Sequence, residues 1–154
     1  MGKITLPHKQ ATHLSVGPAR QVSLAESAVG DWVLLFIAYL KLIHFDRYLA
    51  RGDFARLRTD VHVSARSPAP FRLGSIDRIQ HAVDTACIWY WKEALCLQRS
   101  ATLACLLRQD GVPAQLVVGV QQLPFKAHAW VEVNRRVIND KAYMRDIYTV
   151  LEVF

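Results

Sequence analysis

The sequence lacks the features that would place it in a membrane or in an oxidising compartment. Its 154 residues include only three cysteines, and an odd number without a secretory signal argues against a disulfide framework. The N-terminal residues contain no apolar segment of the kind that a signal peptide needs. The longest apolar run, residues 32–40, ends at Lys41 and falls far short of the ~20 residues that cross a bilayer. We therefore expect a cytoplasmic protein with no membrane span, whose thiols stay reduced.

Signatures of nucleic-acid, nucleotide and metal binding are also missing. The net charge of +6 favours an acidic partner, but the lysines and arginines are scattered and no basic motif with interleaved aromatic residues occurs. We expect no nucleic-acid binding, and an acidic peptide or protein is at least as good a partner. No P-loop, dinucleotide-binding or G-x-S-x-G motif is present, and Cys96, Cys105 and His128 form no C-x-x-C or H-x(3–5)-H pair that would support zinc. We expect neither a cofactor nor a metal.

Length and composition indicate one globular unit. A chain of this size forms about one domain, and 52% apolar with 21% charged residues is an ordinary globular composition. We divide the chain into a polar N-terminal arm (residues 1–21), a helical region (22–74) and a catalytic core (75–154). The core and the helical region are expected to pack together.

The helical region is predicted from capping and apolar patterns. An S-x-x-E capping box beginning at Ser23 predicts the start of a long helix that reaches residue 49 and ends at Gly52. Residues 32–43 are apolar nearly all round, which predicts a buried helix, continuous or broken in two. Residues 53–74 contain two prolines and several arginines, and we interpret them as a connecting loop.

The C-terminal half reads as two helices followed by strands. Ser75 is placed to cap a helix whose apolar residues recur at three- and four-residue spacing, with Cys87 on that stripe as a core cysteine. A helix over residues 96–109 should stop at Gly111. These patterns predict an α+β fold in which helices pack beside a small antiparallel sheet. The predicted strands are residues 114–120, 128–133 and 136–139.

Cys96 is the best nucleophile candidate because it lies at the predicted start of a helix. A helix N-terminus presents unpaired backbone N–H groups and a partial positive charge. Both favour a thiolate, which is the nucleophilic form of cysteine. The same N–H groups can bind a developing oxyanion. Cys105 lies well inside the helix, where such groups are already used.

A thiol nucleophile needs a base, and the base needs a group that orients it. His128 opens an apolar strand, and Asp140 closes the next one. Side chains alternate between the two faces of a strand, so the hairpin loop decides whether these two groups meet. A three-residue loop pairs Val133 with Val137 and puts Asp140 on the face of His128. A two-residue loop puts Asp140 on the opposite face, unless a bulge restores the register.

Each of these residues also has a purely structural interpretation. A cysteine at a helix start is more often structural than catalytic, a histidine on an apolar strand is more often a core residue, and an aspartate after a strand is usually a turn residue. The combination is more informative than its parts, because a helix-start cysteine followed by strands that carry histidine and then aspartate is the arrangement of a catalytic triad.

Two segments resemble the transglutaminase-like leader peptidases of lasso-peptide biosynthesis. The first is C-L-Q-R-S, which begins at Cys96, and the second is A-H-A-W-V-E, which begins at Ala127. The resemblance covers residues 89–140, about a third of the chain. Between and around the two segments it includes Leu103, Leu106, Leu107, Gly111, Val118, Gly119, Val120 and Phe125.

The resemblance implies a fold, an activity and partners. It implies a papain-like or transglutaminase-like cysteine protease core that removes the leader peptide from a ribosomally made lasso precursor. It places the catalytic Cys, His and Asp on Cys96, His128 and Asp140. In this group a small recognition protein holds the leader, and an ATP-dependent lasso cyclase closes the ring. The chain is too short to hold the recognition module before its catalytic region, so we expect the stand-alone form and a separate recognition partner.

Three further residues are candidate substrate contacts, and two other functions stay open. Trp130 is placed to wall the cleft or to pack in the core, while Arg99 and Ser100 are placed to bind peptide backbone or to make helix contacts. The same triad would also serve an acyl transferase that passes the acyl group to an amine. The remaining alternative is a non-catalytic adaptor that binds the leader complex.

Overall fold

The computed structural model describes residues 18–64 and 74–154, with side chains in the first helix from Gly30 onward. Most of the predicted N-terminal arm and part of the predicted connector, residues 65–73, therefore lie outside the described residues. The elements in chain order are α1 (Pro18–Ala50), α2 (Phe54–Ser64), α3 (Ile76–Ile88), α4 (Cys96–Gln109), β1 (Ala114–Gln121), β2 (Lys126–Val133), β3 (Arg136–Val137), α5 (Met144–Ile147) and β4 (Thr149–Val153).

Helix α1 is continuous and starts earlier than the capping box predicts. It begins at Pro18, a residue favoured in the first helical turn because its missing N–H would be unpaired there anyway. The prediction of an all-round buried helix is wrong, because burial is confined to one side. The buried side packs into the core and consists of Leu34, Ala38, Leu42 and Phe45, whereas Trp32, Val33, Phe36 and Leu40 are exposed.

Helix α2 corrects the prediction that residues 53–74 form a loop. The side chain of Asp53 accepts a hydrogen bond from the backbone N–H of Arg56 at 3.1 Å, which caps the helix start. Leu57 and Val61, four residues apart, are buried on one face. The prolines that suggested a loop lie at residues 68 and 70, after the end of α2.

Helices α3 and α4 confirm their predicted bounds closely. The Oγ atom of Ser75 accepts a hydrogen bond from the N–H of Arg78 at 3.3 Å and caps α3. Helix α4 starts at Cys96 and is followed by Gly111, whose φ of 85° lies in the left-handed region that glycine tolerates. Nearly every side chain of α4 after its first turn is buried, so α4 is the central helix of the core.

The sheet has four antiparallel strands in the order β3-β2-β1-β4. One face of β2, carrying Ala129 and Val131, packs in the main core with the helices. The other face carries Trp130, which packs with Val117 and Met144 in a second cluster. The predicted α+β architecture is confirmed, with a helical layer on one face of a small sheet. No helix among the described residues has the length and apolar character needed to cross a membrane.

The hairpin between β2 and β3 differs from the three-residue loop on which the catalytic interpretation was based. Val133 pairs with Arg136 across a two-residue turn. Both turn residues, Asn134 and Arg135, have positive φ, 51° and 64°, as the tight primed turns of hairpins require. Strand β3 then ends at Val137, two residues earlier than predicted. The chain bends over residues 138–140.

The guanidinium of Arg108, near the end of α4, joins three distant parts of the fold. It donates to the backbone carbonyl of Ala114 at 2.7 Å and to the carbonyls of Val61 and Phe154. Helix α2, strand β1 and the C-terminal residue are thereby fixed to the central helix. A charged donor to buried carbonyls contributes more than a neutral hydrogen bond.

Replacing Arg108 with methionine is expected to lower the free energy of unfolding by about 3 kcal/mol, because three carbonyls lose their donor. Urea unfolding followed by circular dichroism measures this loss. Arg56→Met is the matched control, since its ion pair with Asp53 is exposed and such pairs contribute about 0–1 kcal/mol. Equal losses in the two variants would contradict the role of Arg108.

Candidate active site

Cys96 lies at the N-terminus of α4 and is half-buried. Leu95 precedes it in an extended conformation, and its N–H donates to the side-chain Oε1 of Gln98 at 3.3 Å. The first intrahelical bond runs from the N–H of Arg99 to the carbonyl of Leu95, at 3.0 Å. The N–H groups of Cys96 and Leu97 therefore come before any intrahelical bond of α4, which suits them to bind an oxyanion.

Helix α4 runs parallel to β2, and this alignment sets which end of the strand Cys96 approaches. The Oγ of Ser100 donates to the carbonyl of Ala129 at 2.9 Å. Eight residues later Arg108 contacts Ala114, the partner of Val133 in the sheet. Eight helical residues and four strand residues both span about 12–13 Å. Cys96, one turn before Ser100, therefore lies toward the end of β2 that carries His128.

His128 and Asp140 form a direct pair. Nε2 of His128 lies 2.8 Å from Oδ2 of Asp140, and 24% and 22% of the two side chains are exposed. Burial alone would raise the pKa of Asp140. The hydrogen bonds from His128 and from the N–H of Lys141 outweigh burial and hold this pKa below its ordinary value. The carboxylate is thus ionised at neutral pH, and it orients the ring with Nδ1 left for a reacting group.

No hydrogen bond joins the sulfur of Cys96 to His128, two residues that the structure describes. Hydrogen bonds of catalytic groups are often long without substrate and shorten only in the complex. The structure therefore brings His128 and Asp140 into contact. Cys96, at the N-terminus of α4, lies toward the same end of the sheet.

Asp140 reaches His128 because the strand that precedes it stops early. In the two-residue register a continued β3 would carry Asp140 to the other face. Instead, the side chain of Asn139 accepts the N–H of Val131 at 2.7 Å and donates to Ser100 at 2.9 Å. Asn139 thus takes the place of a strand partner and turns the next residue toward the imidazole.

A match to known proteins covers this region. The sequence pattern of the transglutaminase-like superfamily matches residues 39–153, well over half of the chain. The chain belongs to the transglutaminase-like superfamily. It is also 45% identical to the microcin J25-processing protein McjB of Escherichia coli over 56 residues, which are 36% of this chain and 27% of McjB. No solved structure is significantly similar. The matches confirm the resemblance drawn from the sequence, although the aligned segment spans about a quarter of McjB.

The three candidate substrate contacts all make internal contacts in this transglutaminase-like domain. Arg99 donates from Nε and Nη2 to the carboxylate of Asp84, at 2.9 and 2.7 Å, which joins α4 to α3. Ser100 is 1% exposed and Trp130 is fully buried. Trp130 packs beneath the imidazole of His128, with ring centroids 6.3 Å apart. In this structure their contacts assemble the site, and direct substrate binding by any of them stays a prediction.

The two remaining cysteines of the transglutaminase-like domain lie in different surroundings from Cys96. Burial raises the pKa of the Cys105 thiol, partly offset by a hydrogen bond with Ser64. Burial also raises the pKa of the Cys87 thiol, with Arg99 acting in the opposite direction. A raised pKa leaves less thiolate and a less reactive sulfur. The described residues include no group of three His, Cys, Asp or Glu side chains arranged to hold a metal ion.

Sequence reasoning did not identify two residues that the structure brings to the site. Asn139 had no signal beyond its position before Asp140, because its role depends on the early end of β3. Tyr148, whose ring centroid lies 5.4 Å from that of His128, belongs to a C-terminal segment for which we predicted no element. Helix α5 and strand β4 place it there.

Replacing Asn139 with alanine is expected to lower the free energy of unfolding by about 2 kcal/mol. If the three candidate catalytic residues form a triad, it should also slow the reaction that they catalyse at least about tenfold. The N–H of Val131 loses its acceptor, and Asp140 loses the neighbour that aims it. A double-mutant cycle with Ser100→Ala, read by urea unfolding, tests the contact. Because the two side chains share one hydrogen bond, the double variant should lose less than the sum of the singles. Strict additivity would contradict the network.

Proposed function

We propose that this protein is a cysteine peptidase that removes the leader from a lasso-peptide precursor. The observation that carries the proposal is the His128–Asp140 pair at 2.8 Å, located at the end of β2 toward which the Cys96 helix terminus points. The superfamily match and the identity to McjB, a protein named for processing microcin J25, support the same conclusion.

The proposed reaction is acyl transfer to water in two steps. His128 takes the proton of the Cys96 thiol, and the resulting thiolate attacks the carbonyl carbon of the leader–core bond while the N–H groups of Cys96 and Leu97 bind the oxyanion. His128 donates that proton to the leaving amine, which frees the core peptide and leaves a thioester on Cys96. His128 then takes a proton from water, whose oxygen attacks the thioester; the C–S bond breaks, the leader carboxylate is released and the proton returns to the sulfur of Cys96.

Asp140 fixes the tautomer that these steps need. With Nε2–H donated to Asp140, the unprotonated nitrogen of neutral His128 is Nδ1, which then accepts and returns the proton. Asp140 also stabilises the imidazolium that forms within each step, before its proton passes to the leaving amine or returns to Cys96. Its lowered pKa keeps the carboxylate ionised throughout the neutral range.

We propose that the partners are those of lasso-peptide maturation. The substrate is the precursor with its leader, which a separate small recognition protein presents, and the ATP-dependent lasso cyclase uses the freed core. A basic chain with net charge +6 is electrostatically suited to an acidic peptide or protein partner.

The superfamily match favours one alternative reaction, transfer of the acyl group from Cys96 to an amine. Both reactions share the thioester, so the difference lies in what attacks it. Hydrolysis gives a leader with a free carboxylate, whereas aminolysis gives an amide whose mass includes the added amine. The intact product therefore distinguishes the two reactions.

Mass spectrometry of a lasso precursor incubated with this protein and the recognition protein tests the proposal. We expect a single cut between leader and core, with fragment masses that sum to the precursor plus one water. A leader amide would establish the transferase. A precursor that binds but remains intact under all conditions would overturn both reactions and favour the adaptor.

A further inference from the structure

We propose that the ion pair between the buried Glu132 and the half-exposed Arg145 positions the imidazole of His128, acting through Trp130 and through the segment that carries Asp140. The inference rests on the proposed function for the role of His128. None of the residues that it adds touches the reacting atoms, so they are positioning residues.

The indole of Trp130 lies next to the imidazole on the same face of β2. Its side chain is fully buried, and its ring is inclined by only 22° to that of His128. The indole Nε1–H donates to Oε1 of Glu132 at 2.8 Å. That hydrogen bond limits rotation of the indole about its side-chain bonds, because one edge of the ring is bonded to the buried carboxylate of Glu132.

Glu132 is held in turn by Arg145. The glutamate side chain is fully buried, and the guanidinium donates from Nε and Nη2 to its two oxygens, each at 2.8 Å. Burial alone would raise the pKa of Glu132, but the hydrogen bonds from Arg145 and Trp130 lower it. Without Arg145 the carboxylate would be a buried, unpaired charge, which must take up a proton or draw in water.

The packing around Trp130 leaves no room for the ring to shift. Tyr148 contacts both aromatic partners, with centroids 5.4 Å from His128 and 6.0 Å from Trp130. Gly119 lies opposite His128 in the sheet, and a Cβ atom there would come within 2.9 Å of the indole and 3.0 Å of Tyr148. A displacement of Trp130 must therefore move the imidazole or Tyr148 with it.

Among the described residues, one chain segment supplies two of the side chains next to His128, Asp140 and Tyr148, and also carries Arg145. Residues 140–148 carry the carboxylate of Asp140, the guanidinium of Arg145 and the ring of Tyr148. The bidentate bond of Arg145 to Glu132 ties the middle of this segment to β2. Asn139 ties its beginning. Strand β4 starts at Thr149 and pairs with β1, which holds the end of the segment. Removing Arg145 therefore frees the middle of the segment, between two held ends.

A purely structural role for the ion pair makes a different prediction. Loss of a stabilising contact lowers the free energy of unfolding without changing the surroundings of His128 in molecules that remain folded. A positioning role changes the imidazole itself. It lowers kcat more than it raises KM, because the bound substrate is unaffected while the acid–base group is misplaced.

The test compares Arg145→Ala and Arg145→Lys with Arg58→Ala, which removes the half-exposed ion pair with Glu152 on β4 and serves as the control. We expect Arg145→Ala to shift the ring resonances of His128 in NMR spectra and to change the pH profile of Cys96 alkylation by iodoacetamide. It should also lower kcat about ten- to a hundredfold with KM within about twofold. In Arg145→Lys, which keeps the charge, the changes in the resonances, the alkylation profile and kcat should be smaller than in Arg145→Ala. Arg58→Ala should match the wild type in all three.

Unchanged His128 resonances and an unchanged alkylation profile in folded Arg145→Ala would overturn the inference. If that variant does not fold, the same readouts on Arg145→Lys decide, and wild-type values there would overturn it too. The NMR and alkylation readouts need no substrate. A wild-type protein that cuts no precursor, but whose Arg145 variants displace the imidazole, would refute the proposed function and leave the positioning role standing.

Discussion

Replacing Cys96 with alanine is expected to abolish precursor cleavage, with a loss of at least about a thousandfold in kcat. No other described residue offers a nucleophile at an open helix terminus beside the His128–Asp140 pair, and removing the nucleophile of a triad removes its covalent pathway. The fold should survive, because Cys96 is half-buried and makes no hydrogen bond through its sulfur. The measurement is the rate of leader release under single-turnover conditions.

The other two cysteines provide matched controls for Cys96. Cys105→Ala removes a thiol from the same helix, and Cys87→Ala removes one from the neighbouring helix. Both thiols have raised pKa values, so at pH 7 iodoacetamide should label Cys96 before either of them. Cleavage that persists in Cys96→Ala, or that is lost equally in Cys105→Ala, would show that Cys96 is not the nucleophile.

Helix α4, which carries Cys96, is the part of the candidate site that the sequence predicted best. Local features mark both ends: the side chain of Gln98 accepts the N–H of Leu95 just before the start at Cys96, and Gly111, with positive φ, follows the end. Helix start and stop signals of this kind can be recognised in the sequence without knowledge of the fold. The strand pattern pointed to His128 and Asp140, and the family resemblance then implied the same two positions.

The contact between His128 and Asp140 was anticipated for an incorrect reason. The sequence argument needed a three-residue loop, or a bulge that restores its register, whereas the turn has two residues and the strand ends early. Whether β3 continues past Val137 depends on Asn139, whose side chain bonds to Val131 and to Ser100 on another element. A tertiary contact of this kind has no periodic signature, and strand register is set by such contacts.

The two C-terminal segments that sequence reasoning missed, α5 and β4, share weak local patterning. Helix α5 has four residues, and β4 alternates between exposed and half-exposed side chains. Both are held by contacts to distant elements, such as Arg145 to Glu132. For α1 the error was the opposite one. The composition was apolar all round, but only one side found partners in the described part of the chain, and Trp32 stays 71% exposed.

Replacing Asp140 with asparagine is expected to lower kcat about a hundred- to a thousandfold while the fold stays intact. An amide keeps the shape of the carboxylate but not its charge, so it neither stabilises the imidazolium nor requires Nε2 to carry the proton. A ring that protonates Nδ1 instead cannot accept the proton of Cys96 there. Single-turnover cleavage measures the loss, and Asp146→Asn, on the same segment and with no resolved role at His128, is the control.

The acid dependence of stability provides an independent check on Asp140. Its folded-state pKa lies below the ordinary value of 3.8, so the stabilisation from the ionised carboxylate is complete above pH 3.8. It is lost as the pH falls through the folded-state value. At pH 7 Asp140→Asn should therefore have a lower free energy of unfolding than the wild type, and the gap should narrow as the pH falls below 3.8. If the difference in free energy of unfolding between the two proteins is the same at pH 7 and pH 3, the ionised pair with His128 does not stabilise the fold. A near-normal kcat in Asp140→Asn would show that Asp140 is not part of the triad.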